Sequence, residues 1–188
     1  MANPNIAGFS TIGLEGADYT ATYTGYAQSS AVSSTNNPDY PSPTGQYSLG
    51  QVSKGADGSE WVYALAGSNI TLGDVVILTN TGALWTADSV TNTLAASKLG
   101  AWLGAQPFTA VTSGQYAWFQ RAGKCAGINI IASTTKNVLL YTTTTAGKLS
   151  SASVASTTSI MAGVVLTTAA TTATAQAMLN FPVVGVTQ

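Results

Sequence analysis

Along most of this chain apolar and polar residues alternate in short runs, punctuated by Gly, Asn, Asp and Ser at intervals of roughly ten residues. A two-residue repeat is that of an extended strand whose side chains point to alternate faces. Residues 46–54 and 59–66 flank Gly55-Ala56-Asp57-Gly58, and Asp-Gly between alternating runs signals a hairpin because both residues tolerate positive φ. In the second run Trp61, Tyr63 and Leu65 alternate with Val62, Ala64 and Ala66. A second pair, residues 74–79 and 82–86, turns through Asn80-Thr81-Gly82. Residues 88–97 read as a weakly patterned loop or one helical turn. Further strands are predicted at residues 99–105, 115–121, 124–131, 138–142, 160–167 and 175–186. So many short strands with regular turns predict an all-β domain, a compact β-barrel or β-sandwich.

The most strongly patterned run is Gly114-Gln115-Tyr116-Ala117-Trp118-Phe119-Gln120-Arg121-Ala122-Gly123. Tyr116, Trp118 and Gln120 share one face of the extended chain, and Gln115, Ala117, Phe119 and Arg121 the other. A large aromatic on each face predicts a central strand covered on both sides, with a turn-forming glycine at either end.

Two weaker patterns shape the organisation. Asp74-Val75-Val76-Ile77-Leu78 and the following Gly82-Ala83-Leu84 are echoed by Asn137-Val138-Leu139-Leu140-Tyr141 and Gly147-Lys148-Leu149. Each copy continues into a Ser/Thr/Ala loop and a matching strand, which suggests two duplicated β modules, residues 74–121 and 137–181. Residues 1–45 lack such periodicity but carry spaced aromatic and aliphatic residues: Phe9, Ile12, Leu14, Tyr19, Tyr23 and Tyr26. A segment with anchors but no pattern able to bury them needs another surface. It reads as an extended N-terminal arm lying on a neighbouring subunit or a larger partner, with the folded domain at residues 46–188. On that reading, deletion of residues 1–45 leaves a folded domain that has lost its partner.

Composition narrows the function. Charged residues make up 7% of the chain, against about a quarter in ordinary globular proteins, while Ser and Thr together reach about a quarter. Such a surface stays hydrated without the like-charge repulsion that keeps free proteins apart, which suits a protein packed in an assembly. A secreted Thr-rich β domain is the plain alternative. The net charge of −1, with no basic cluster, argues against nucleic-acid binding through phosphates. No apolar run approaches the roughly 20 residues of a membrane helix, and the N-terminus has no signal-peptide pattern, so the reading is a soluble protein made in a cytoplasm.

Catalytic chemistry finds few residues to use. There is no His, so a hydrolytic triad lacks its base and a zinc or iron site its commonest ligand. The single Cys, Cys125, reads as a small buried hydrophobe. Asp57 and Asp74 fall at turns, where local hydrogen bonding explains them; a calcium site from Asp57 and Glu60 matches no known loop pattern. No phosphate-binding glycine loop is present. The expectation is a non-enzyme without cofactor or metal. Trp61, Trp85, Trp102 and Trp118 lie on four separate predicted strands amid apolar neighbours, which favours core packing over a sugar-stacking platform.

The order of these signals resembles that of the capsid decoration (cement) proteins of tailed bacteriophages. The resemblance is carried by Leu49-Gly50, by Asp57-Gly58-Ser59-Glu60-Trp61-Val62-Tyr63, by Gly73-Asp74-Val75-Val76 and by residues 114–123, and it covers about residues 46–167. Ala117 stands where that family more often has glycine. The resemblance implies a non-enzymatic virion protein on the capsid exterior that stabilises the head by bridging subunits of the major capsid protein. It also implies a homo-oligomer, most simply a homotrimer, with no membrane and no direct nucleic-acid contact. Residues 1–45 lie outside the resemblance. Two alternatives stand beside it: a glycan- or receptor-binding β domain of a virion surface, and a self-assembling coat or surface-layer subunit.

Overall fold

A computed structural model describes Tyr19, Thr22–Thr24 and residues 47–187, apart from residues 56, 83, 107, 154–157, 171 and 172. The described chain is all-β. Its strands are β1 (Thr22–Thr24), β2 (Val52–Lys54), β3 (Glu60–Ala66), β4 (Val75–Thr81), β5 (Leu84–Ser89), β6 (Trp102–Ala105), β7 (Gln115–Asn129), β8 (Tyr141–Thr142), β9 (Leu149–Ser150), β10 (Ser159–Leu166) and β11 (Thr174–Thr187), with one short helix, α1 (Asn92–Ala96), between β5 and β6. All strands join one sheet.

The sheet closes on itself. β3 pairs with β5, β5 with β4, β4 with β6, β6 with β11, β11 with β7, and β7 returns to β3. Of the two architectures the strand pattern allows, the chain therefore adopts the barrel, with the β3–β5 pair parallel and the other pairs of the ring antiparallel. Closure removes the edges that an open sheet exposes. β2 and β1 add to β3 and β7, and β10, β8 and β9 extend outward from β11.

Alternation sorts the side chains into three cores. Val62, Ala64, Val76, Leu78, Ala117 and Phe119 point inward and fill the barrel. The opposite face of β3 and β7 carries Trp61, Tyr63 and Trp118, which form an aromatic cluster with Tyr19 and Tyr47. The opposite face of β4 and β6, with Val75, Ile77 and Leu103, packs against residues of β7, β10 and β11, including Cys125, Ile128 and Leu179. The double burial expected of residues 114–123 is what the strand shows: Ala117 and Phe119 lie inside the barrel, and Trp118 lies in the aromatic cluster.

Three features differ from the sequence expectation, and residues 88–97 follow one of its two alternatives. Gly123 does not end a strand: β7 runs through it at a φ of 91°, and a Cβ there would lie only 2.8 Å from Ser59 Cα. The glycine is used for close approach rather than a turn. α1 is the single helical turn that residues 88–97 allowed, capped by Thr91 Oγ1 accepting from the Leu94 N–H. β9 was marked only by the echo at Gly147-Lys148-Leu149, and β1 carried no readable signal in its three residues. The arm, finally, is partly drawn into the domain: Thr22, Tyr23 and Thr24 pair with Ala117, Tyr116 and Gln115 of β7.

Within the two proposed modules the pairing pattern runs parallel. β4 is flanked by β5 and β6, and β8 by β9 and β10; β6 and β10 then pair with β7 and β11 respectively. A buried carboxylate stands just before β4. Asp74 accepts hydrogen bonds from Thr71 N–H and Oγ1, Ser89 Oγ and Asn129 Nδ2, at 2.8 to 3.1 Å. Gly147, from the loop before β9, packs so closely on the Asp74 carboxyl that a Cβ there has no room.

Candidate binding surface

Of the residues assigned to partner contact from sequence, the structure describes Tyr19 and the backbone of Tyr23. Tyr19 is fully buried: its ring stacks on Trp61 at 4.6 Å, meets Trp118 edge-on at 5.8 Å, and its hydroxyl hydrogen-bonds Ser53 Oγ at 2.6 Å. It anchors the arm to its own domain. Burial raises the Tyr19 phenol above its ordinary pKa, opposed by the Ser53 hydrogen bond. Tyr23 contributes backbone to β1. Phe9, Ile12, Leu14 and Tyr26 lie outside the described residues.

Asp57 and Glu60 have structural partners. Asp57 Oδ1 accepts from the Ser59 N–H within the β2–β3 turn, and Glu60 is paired with Arg121 and Lys54. Among the described residues no group of three His, Cys, Asp or Glu could hold a metal ion. Nor, among them, is any helix long and apolar enough to cross a membrane. Burial pushes the Cys125 thiol up to about 11, with a weak opposing contact to the Gly127 carbonyl.

The tryptophans divide. Trp61 and Trp118 are fully buried, as core packing requires. Trp85 is half-buried and Trp102 is 43% exposed, so core packing does not describe this second pair. Their rings lie 5.1 Å apart, tilted by 35°. The reason is positional. Trp85 packs on the barrel interior, and Trp102 shares a strand face with Gly104, which lies against Leu78 and Phe119 of that interior. The pair stands where the inner core meets solvent. Trp85 is seated there by Gly50, whose φ of 78° and missing side chain leave space for the indole.

Two bulges complete the cluster. Trp61 opposes Gln120 and Glu60 opposes Ala122, so Arg121 has no partner residue on β3. Gln120, buried below it, donates from Nε2 to the carbonyls of Ala122 and Lys124, satisfying backbone near the bulge. On β11, Val183 opposes Ala162 and Leu179 opposes Val164, leaving two extra residues on β11. Phe181 and Pro182 occupy this corner, where β11 changes partner from β7 to β6. Gly163 faces the corner at φ 79°, with Asn180 O and Pro182 Cα close to where a Cβ would lie.

Bulges re-aim side chains, and these two aim at one place. The Arg121 guanidinium lies 4.6 Å from the Trp102 ring and 5.3 Å from the Phe181 ring. Its Nε and Nη2 both pair with Glu60 Oε1, at 2.6 and 2.5 Å, which fixes the guanidinium beside the rings. Phe181 is 54% exposed and has a φ of 45°, a left-handed conformation that a bulky residue adopts only under constraint.

Two hollows share the Trp102 ring as a wall. One, of about 160 Å³, is lined by Leu103, Arg121, Phe181 and Pro182. The other, open and of about 550 Å³, is lined by Trp85, Thr79, Asn80, Thr81, Ser97 and Lys98 among others. Sequence reasoning missed this cluster. The available signal was Pro182 inside the run 175–186, since proline within a strand marks an edge or a bulge.

The fold and this surface define an all-β barrel protein with an aromatic cluster at one rim. No protein-family model matches the chain, and no curated protein sequence matches it either.

Proposed function

We propose that this protein is a non-enzymatic structural component of a tailed-bacteriophage virion. It binds the capsid exterior and stabilises the head by bridging subunits of the major capsid protein, as a homo-oligomer. The observation that carries the reading is the order of the motifs that resemble capsid decoration proteins, which falls on the barrel frame. Asp57-Gly58 forms the β2–β3 turn, Gly73-Asp74 leads into β4, and residues 114–123 make the first half of β7. Three of the six strands in the closed ring thus carry the resemblance. A surface poor in charge and rich in hydroxyls supports the same reading, because it suits permanent neighbours better than free diffusion.

The stabilising effect follows from mass action. A protein that binds the assembled, expanded shell and not its free subunits favours the assembled state, and many modest contacts add up around a closed lattice. The test is co-sedimentation of the full chain with expanded heads of the parental virus from which minor proteins have been stripped. Saturable binding, weaker on unexpanded shells and accompanied by a higher temperature of shell disruption, is the expected result. Density for the chain on the tail in an averaged particle image, or failure to sediment with heads, would remove the proposal.

A further inference from the structure

We infer that the larger hollow beside Trp102 binds a neutral oligosaccharide, a role separate from attachment to a capsid. Three observations lead there. First, the Trp102 ring that walls the hollow is held at the surface, 43% exposed, against the Trp85 ring at 5.1 Å and the Arg121 guanidinium at 4.6 Å. A ring already held in place loses little freedom when a ligand stacks on it. Second, the hollow combines an aromatic wall, Trp85 and Trp102, with the neutral polar side chains of Asn80 and Thr81, while the lining hydroxyls of Thr79 and Ser97 already bond Thr86 Oγ1 and the Leu94 carbonyl. A pyranose presents the complementary pair of surfaces: an apolar face of C–H groups for the electron-rich ring, and an equatorial belt of hydroxyls for the amide and hydroxyl groups. Third, the volume of about 550 Å³ falls within the roughly 300–1,000 Å³ range of small-ligand sites.

Charge separates this ligand from the other candidates. Among the described residues the cations at the cluster are Lys98 and Arg121, and Arg121 is already paired with Glu60. A nucleotide or a sulfated polymer brings more negative charge than Lys98 can balance. A protein surface packed onto the hollow would leave the Asn80 and Thr81 groups to be desolvated without the dense hydroxyls that a sugar supplies.

The experiment is titration of the full chain with maltohexaose, cellohexaose, mannohexaose and chitohexaose, read by tryptophan fluorescence and calorimetry, with heparin hexasaccharide and a deoxynucleotide hexamer as charged probes. The expected result is binding of at least one neutral hexasaccharide with a Kd of about 1 mM or tighter. Trp102→Ala weakens it by roughly tenfold or more and Trp102→Phe by much less, with the parent's circular dichroism spectrum in both. Asn80→Ala provides a second variant, on the polar side of the hollow, with the same expectation. Absence of binding by all four neutral probes, binding by the charged probes alone, or neutral binding that survives both Trp102→Ala and Asn80→Ala would overturn the inference. None of these outcomes bears on sedimentation with heads, so the two proposals fail separately.

Discussion

At the scale of single residues, the least replaceable positions are polar or small. Asp74 is 4% exposed and, among the described residues, no cation pairs with it; four donors hold it instead. Asp74→Ala leaves those donors facing a void and is expected to reduce unfolding free energy by about 3 kcal/mol or more in urea titrations. Gly147→Ala should act through the same group. The added methyl meets the Asp74 carboxyl and also opposes a φ of 73°, so a loss of at least about 2 kcal/mol is expected. Phe181 behaves oppositely. Phe181→Gly releases its left-handed strain and removes a ring that is mostly in water, so stability should hold or rise, whereas truncating a buried Phe costs about 3–5 kcal/mol. A drop of that buried size on chemical denaturation would show the ring to be structural. Cys125 sets a pH dependence. Its thiol titrates near 9 when exposed and is pushed up to about 11 in the fold, so its stabilising contribution is whole below about pH 9 and is lost as pH climbs through about 11. Between about pH 8 and pH 11 the protein should lose about 2 kcal/mol that Cys125→Ala does not.

At the scale of elements, β1 and Tyr19 change the meaning of the arm. The run of spaced aromatics was legible as a set of anchors seeking a surface, and the surface that receives Tyr19 is the chain's own. Trp61 and Trp118 are far from Tyr19 in sequence, and only strand pairing puts them beside it. Tyr19→Ala is expected to cost about 3–5 kcal/mol, as for other buried aromatics. Removing residues 1–24 should destabilise at least as much, because it also takes away β1; a truncated protein that melts like the full chain would return the arm to an independent role. Strand identity was readable wherever the two-residue alternation was strong, as in β3, β4 and the first half of β7. The bulges at Arg121 and Phe181 were not readable. A bulge is a mismatch between two strands, and neither strand alone records how many residues its partner places opposite it.

At the scale of the whole molecule, low charge has a direct consequence. If the virion role holds, attachment depends on apolar contact and backbone pairing more than on ion pairs. Its affinity for expanded heads should then change by less than about threefold between roughly 0.05 and 0.5 M salt. A steep salt dependence in sedimentation would point to an electrostatic interface that this composition does not offer. Alternation, turn residues and composition by themselves determined that the protein is all-β, where most of its strands lie, which faces are apolar, and which catalytic chemistries lack their residues. Those properties depend on the local backbone and on what each side chain is made of. Only the tertiary structure decided that the sheet closes into a barrel, that Tyr19 is a core residue, and that Trp102 is not. These depend on which distant strands pair and in what register, and a shift of one or two residues there moves an aromatic ring from the interior to the solvent.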